Sequence, residues 1–191
     1  MSKGRLEAFS DGVIAILITI MVLELRVPEG ADWSALMGLA PVFLSYVLSF
    51  VFLGIYWNNH HHLFQASKHV NGAVLWANLH LLFWLSLISF VTGWMGENNF
   101  AQLPVALYGV VLWMSALAYY ILTLSLVSLH GRESTISTAL GRRIKEVGSL
   151  VAYTAAIVFA FINTNISLAI YFLVALLWLI PDTRIEKTLG R

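Results

Sequence analysis

The chain has 191 residues and no cysteine, with 59% hydrophobic and only 11% charged residues, against roughly 45–50% and 25% in an ordinary soluble domain. With a mean hydropathy of +0.80, lipid rather than water is the solvent for most of its surface, and a soluble globular fold is excluded. A net charge of +1 supplies no cluster of phosphate-neutralising bases, so nucleic acid is not expected as a partner; the missing thiols remove disulfides, thiolate metal sites and cysteine nucleophiles.

Six membrane spans are expected, over residues 5–27, 35–60, 72–95, 104–129, 144–163 and 165–181, in one domain covering 1–191. In the first, Lys3 and Arg5 precede the apolar run from Val13 to Leu23, much as in a signal peptide. Glu7 and Asp11 interrupt that basic region, however, and no small-residue cleavage pattern precedes Pro28, so a retained helix is expected. At 1.5 Å per residue it is about 34 Å long, enough for a hydrocarbon core of about 30 Å. The second span has Ser34 as its N-cap and Pro41 in its early turns, and it ends in Asn58, Asn59 and three consecutive histidines. The third stops at Gly96-Glu97, and the fourth opens with Pro104 in its first turn, where a missing N–H costs nothing. A polar stretch from His130 to Glu146 separates it from two short spans, which are joined at Asn163-Thr164-Asn165.

Basic residues orient the bundle. With six spans, Lys3, Arg5, Lys68, Arg132, Arg142, Arg143, Lys145, Arg184, Lys187 and Arg191 fall on the side of the N-terminus and Arg26 alone on the other. Both termini are therefore expected in the cytoplasm of a cell in whose plasma or inner membrane the protein sits. Glu24, Glu29, Asp32 and Glu97 gather at the outer ends, where their potential attracts cations.

The unusual chemistry is at the start of the first helix, Arg5-Leu6-Glu7-Ala8-Phe9-Ser10-Asp11-Gly12. Asp11 lies about 9 Å deeper than Arg5 by helical rise, and an unpaired carboxylate there is expensive, so it needs a partner. On a helical wheel at about 100° per residue, Phe9, Gly12, Ile16, Thr19, Ile20 and Leu23 share one face, while Ser10 and Asp11 point roughly the other way. If the stripe faces a central axis, the polar pair faces the body of its own subunit. Candidate partners there are Asn58, Asn59, His60, His61 and His62 on the second helix and Asn78 and His80 on the third.

The string Arg5-x-x-x-Phe9-Ser10-Asp11-Gly12-Val13, followed by an Ile/Leu/Thr helix that ends Leu-Glu-Leu, resembles the signature of the transmembrane protein 175 family of lysosomal and prokaryotic potassium channels. The region of Trp57, His61 and His62, and the Asn78-x-x-x-x-Phe83 start of the third helix, are also similar. The resemblance implies an all-α membrane bundle with a single six-helix repeat, assembled as a homotetramer around a path for K⁺ lined by first helices, without cofactor, metal or catalysis. It implies that Ile16 forms the narrowest point, with further layers at Thr19 or Ile20 and at Leu23. It also implies that Arg5, Phe9, Ser10 and Asp11 brace the first helix against His61, His62 and Asn78.

The chain has no Gly-rich segment able to place carbonyls in a ring, so a channel of this kind would select otherwise. An Ile16 ring gates by dewetting; when it widens, the weakly hydrated K⁺ loses less than Na⁺, Thr19 hydroxyls add weak ligands, and Glu24 and Glu29 concentrate cations at the outer mouth. Other readings fit less well. A bis-histidine haem would need two histidines at one depth, and His80 lies roughly 10 Å from the level of the histidine triplet. A coupled secondary transporter is the stronger rival, but helices two to six carry no acidic residue in their apolar blocks. An enzyme would need a G-x-S-x-G or H-E-x-x-H placement, which the chain lacks.

Overall fold

The computed structural model describes residues 2–131 and 144–179, and all regular structure among them is helical. Among the described residues seven helices follow in chain order: α1 (Lys3–Leu23), α2 (Trp33–Gly38), α3 (Ala40–Gln65), α4 (Gly72–Glu97), α5 (Gln102–His130), α6 (Ile144–Ala160) and α7 (Thr164–Leu179). Four of them, α1, α3, α4 and α5, are long and apolar enough to cross a membrane; α7 is a shorter apolar helix. The expectations for Arg132, Arg142, Arg143 and the residues from Ile180 onward lie outside the described residues.

Local chemistry explains where the helices depart from the expected boundaries. α1 ends at Leu23 rather than running to Val27, with Glu24 as its C-cap. The Pro28 ring cannot coexist with a helical carbonyl at Glu24, and it pushes Val27 toward extended backbone. In place of one span from residue 35, the chain makes the short α2, breaks at Leu39 and restarts as α3 with Pro41 in its first turn. Pro41 has no N–H for the Met37 carbonyl, so the helix interrupts itself one turn earlier. The cap of α2 is Asp32, whose carboxylate accepts from the Ala35 N–H at 2.8 Å and from the Ser34 hydroxyl at 2.8 Å. Ser34, the expected cap, thus serves the capping residue instead. These bonds, the Ala35 N–H first, hold the Asp32 carboxyl below its ordinary range. α3 continues past the expected end at residue 60, through all three histidines.

The ends of the helices alternate. At one end the Lys3 ammonium donates to the Ser67 carbonyl (2.9 Å) and the Lys68 N–H donates to His130. At the other, Arg26 pairs with Glu97 (3.5 Å) and the Gln102 amide donates to the Phe161 carbonyl (3.2 Å). α4 lies centrally, against α1, α3 and α5, while α6 and α7 form a hairpin that packs on α5 and α3.

Because lipid tails are as apolar as leucine, close approach and polar pins hold such helices together. A Cβ on Gly96 of α4 would stand 2.5 Å from Ser45 Oγ and 2.7 Å from Val42 Cα of α3, so glycine permits that crossing. Deeper in, the buried Ser49, Thr92 and Tyr108 hydroxyls join α3, α4 and α5 at 2.6 and 3.0 Å. The Tyr171 hydroxyl of α7 donates to the Val105 carbonyl of α5 at 3.0 Å. A cavity of about 30 Å³ between α3, α5, α6 and α7, room for one or two waters, is lined by residues such as Tyr56, Tyr119 and Trp178 and by none from α1.

Candidate ion path along the first helix

α1 has two unlike faces. Leu6, Ser10, Ile14, Leu17 and Met21, spaced four, four, three and four residues apart, are buried against α3 and α4. The other face has no partner among the described residues: Phe9 is 49%, Ile16 56%, Ile20 43% and Leu23 77% exposed, and Gly12 and Thr19 between them are exposed too. At Gly12 even an added Cβ would touch nothing within 4 Å. Water would make such a stripe of isoleucine and leucine a liability; in a membrane it lies against lipid or against copies of itself.

Thr19 is the one hydroxyl on the stripe, and its proton is committed. Its Oγ1 donates back to the Ile16 carbonyl at 2.9 Å, with the Ala15 carbonyl at 3.1 Å. With the hydrogen turned into the helix, the oxygen's remaining lone pairs face outward. Between Phe9 and Leu23 the stripe therefore offers an acceptor suited to a cation and no side-chain donor for an anion.

On the buried face a hydrogen-bonded chain has a definite direction. The Ser10 hydroxyl donates to the Leu6 carbonyl (2.9 Å), so its oxygen accepts from the Asn78 amide nitrogen (2.9 Å). That turns the Asn78 carbonyl toward His60 Nε2 at 2.8 Å, where His60 must donate. Ser10, Asn78 and His60 are all at most 1% exposed. Their bonds tie α1 to α4 and α3 at the level where the charges begin.

Asp11 is handled separately. Its side chain stays exposed, and Oδ1 accepts from the Trp57 indole N–H of α3 at 3.0 Å. His61 stacks on that indole, with ring centroids 6.1 Å apart. Of the two histidines singled out from the sequence, then, His61 stands beside the Asp11 partner, and the buried Nδ1 of His62 meets no hydrogen-bond partner among the described residues. It is His60 that meets Asn78. Helical spacing carries that information: the buried positions of α3 include Ser45, Ser49, Phe52, Tyr56, His60 and Leu63, a run that takes in His60 and passes over its neighbours. Trp57 lies one turn before His61.

The remaining residues divide between the two faces. Arg5 is exposed and, at about 100° per residue, falls on the side of Ile16; Phe9 falls there too. Glu24 closes α1 and lies over Gly93 of α4, its Oε2 3.8 Å from where a Cβ on that glycine would be. Glu29 sits beyond the helix on the exposed connection to α2. Among the described residues, no group of three histidine, cysteine or acidic side chains is placed to hold a metal ion.

This arrangement has relatives. The family model described as "Endosomal/lysosomal potassium channel TMEM175" matches residues 5–88, which include both faces of α1, Trp57, His60 and Asn78. A protein of Chryseobacterium sp. (strain P1-3) that is named a potassium channel is 57% identical over 99% of this chain and 98% of its own. The chain belongs to the TMEM175 family. A potassium channel of Streptomyces collinus is 32% identical over 91% of this chain and 90% of its own length. The human endosomal/lysosomal proton channel TMEM175 is 30% identical over 86% of this chain, which spans 36% of that longer protein. The crystal structure of a lysosomal potassium-selective channel TMEM175 homologue from Chamaesiphon minutus superposes with a TM-score of 0.81 at 26% identity, covering 94% of this chain and 97% of that one. The family is one of multi-pass membrane channels, not of enzymes or coupled transporters.

Proposed function

We propose that the protein is a potassium channel of the cell membrane, a homotetramer in which four copies of α1 surround the ion path. Six spans with both termini in the cytoplasm fit the alternating helix ends and the basic residues that accumulate at the end of Lys3 and Lys68. The observation that carries the reading is the unpartnered stripe on α1, opposite a face pinned by Ser10. A helix so fixed presents Ile16, Thr19, Ile20 and Leu23 in rising layers, and fourfold repetition closes them into rings.

In this reading Ile16 is the constriction. Its ring offers no ligand to replace hydration water, so a narrow ring dewets and blocks, and a wider one passes ions that keep part of their shell. K⁺ gives up that water at lower cost than Na⁺, and the outward lone pairs of four Thr19 hydroxyls return a little of what is lost. Preference for K⁺ is accordingly modest. Glu24 and Glu29 raise the cation concentration outside, and the Ser10–Asn78–His60 chain with the Asp11–Trp57 bond holds the lining helix in register.

Flux into liposomes under opposed K⁺ and Na⁺ gradients tests this, with a proton gradient as a third arm because the human relative is named a proton channel. Ile16→Asn is expected to raise flux and to erode the K⁺ over Na⁺ preference. Unchanged flux and preference in that variant would remove Ile16 from the path.

A further inference from the structure

We propose that His130, the last residue of α5, is a proton-released clasp through which acidity at the Lys3 end of the bundle alters the seating of α1. The connection from α3 to α4 is held from two sides. The Lys68 N–H donates to His130 Nε2 at 3.1 Å, and the His69 N–H points at the same atom from 3.4 Å. On the other side Lys3 of α1, itself 3.9 Å from Glu7, donates to the Ser67 carbonyl at 2.9 Å. A backbone N–H can only donate, so Nε2 bears a lone pair; Nδ1, 3.0 Å from the Leu126 carbonyl, carries the proton. The ring that closes the clasp is therefore neutral.

A proton on Nε2 converts that acceptor into a third donor facing two N–H groups, and both bonds are lost. Lys68 supplies one of the two N–H groups, and the His69 ring lies 4.6 Å from that of His130; among the described residues no carboxylate forms an ion pair with His130. The other titratable side chains on the described helices at this end are Lys3 and Glu7 on α1, His61 and His62 near the end of α3, and Lys145 and Glu146 in the first turn of α6, while the first turn of α4 carries no charge. Since only a ring with a bare Nε2 accepts the two bonds, the clasp is present while that nitrogen is unprotonated and is lost when it takes a proton, so acid opens the clasp and base closes it. Once freed from α5, the connection no longer offers Lys3 a fixed carbonyl, and the start of the lining helix loses an anchor.

The structural half stands on geometry alone; the functional half rests on the channel reading, so the test has two readouts. Amide hydrogen exchange of the full-length protein, corrected for intrinsic rates, is followed across residues 67–70 at pH 8 and pH 5.5. Protection in the wild type is expected to fall about fivefold at the lower pH, the equivalent of one hydrogen bond. His130→Ala should be unprotected at both pH values. His130→Gln, whose amide oxygen still accepts, should be protected at both, and His69→Ala should keep the pH response. Equal protection of the wild type at both pH values, or a wild-type response in His130→Gln, overturns the clasp. In liposomes, acidifying the Lys3 side should change K⁺ flux of the wild type and not of His130→Gln. A pH response that persists in His130→Gln overturns the coupling to α1, whereas no flux at either pH overturns the channel reading and leaves the exchange result standing.

Discussion

Replacing Asn78 with leucine removes the centre of the chain that ties α1 to its neighbours while keeping the number and branching of side-chain heavy atoms, so no cavity confuses the outcome. Two bonds disappear, at 2.9 Å to Ser10 and 2.8 Å to His60, each worth about 0.6–1.5 kcal/mol in a helical membrane protein. Ser10 loses little more, since its hydroxyl still donates to the Leu6 carbonyl. His60 is the costly side: its Nε2–H, on a side chain 1% exposed, becomes a buried donor without an acceptor, a penalty of about 1–3 kcal/mol. With that penalty taken in place of the His60 bond's own worth and the Ser10 bond added to it, the total is about 2–4 kcal/mol, which for a chain of this size lowers Tm by about 5–15 °C. Thermal unfolding in detergent, followed by circular dichroism, measures it, and Ser10→Ala combined with Asn78→Leu should show a coupling of about 1 kcal/mol. A Tm within about 2 °C of wild type, or strictly additive single variants, would refute the pinning role of the chain.

Two further outcomes follow from other contacts. Gly96→Ala should cost about 1–3 kcal/mol, because its Cβ meets Val42 backbone at 2.7 Å; Gly54→Ala, with nothing within 4 Å, should be neutral or stabilising by up to about 1 kcal/mol, and the two melting temperatures are compared directly. Thr19→Val, at an exposed position whose hydroxyl bonds only its own helix, should change Tm by less than about 2 °C while shifting the ratio of K⁺ to Na⁺ flux; an unchanged ratio would separate the hydroxyl from selectivity.

Much of the fold was legible because lipid simplifies the rules: apolar runs of span length become helices, and the wheel for α1 already grouped Phe9, Gly12, Ile16, Thr19, Ile20 and Leu23, which the structure leaves exposed together. Proline effects were less so. Pro41 reads equally well as a first-turn residue of a new helix or as an early residue of a longer one, and only the stop at Gly38 decides between them. Pro28 acts back over four residues, so the helix ends well before the residue that ends it. The three adjacent histidines were ambiguous for another reason. Their chemistry is identical and only their angle differs by about 100° per step, so the choice depended on the buried period of α3, which brings His60 to Asn78. Ser10 and Asp11, grouped in sequence as a pair, part ways because one step along α1 separates a buried position from an exposed one.

The bond between Ser10 and Asn78 also gives α1 a fulcrum. Rotation of the helix about its own axis would break that bond, so movement that preserves it is a tilt about the level of Ser10. Ile16 then lies on a short arm of about 9 Å and Leu23 on one of about 20 Å. A tilt of about 10° would shift the first by about 1.6 Å and the second by about 3.4 Å, each arm times the tangent of the tilt. The lever multiplies outward: in the proposed tetramer the aperture would flare toward Leu23 while the ring proposed as its narrowest moved least, and conduction would then turn on the small displacement at Ile16.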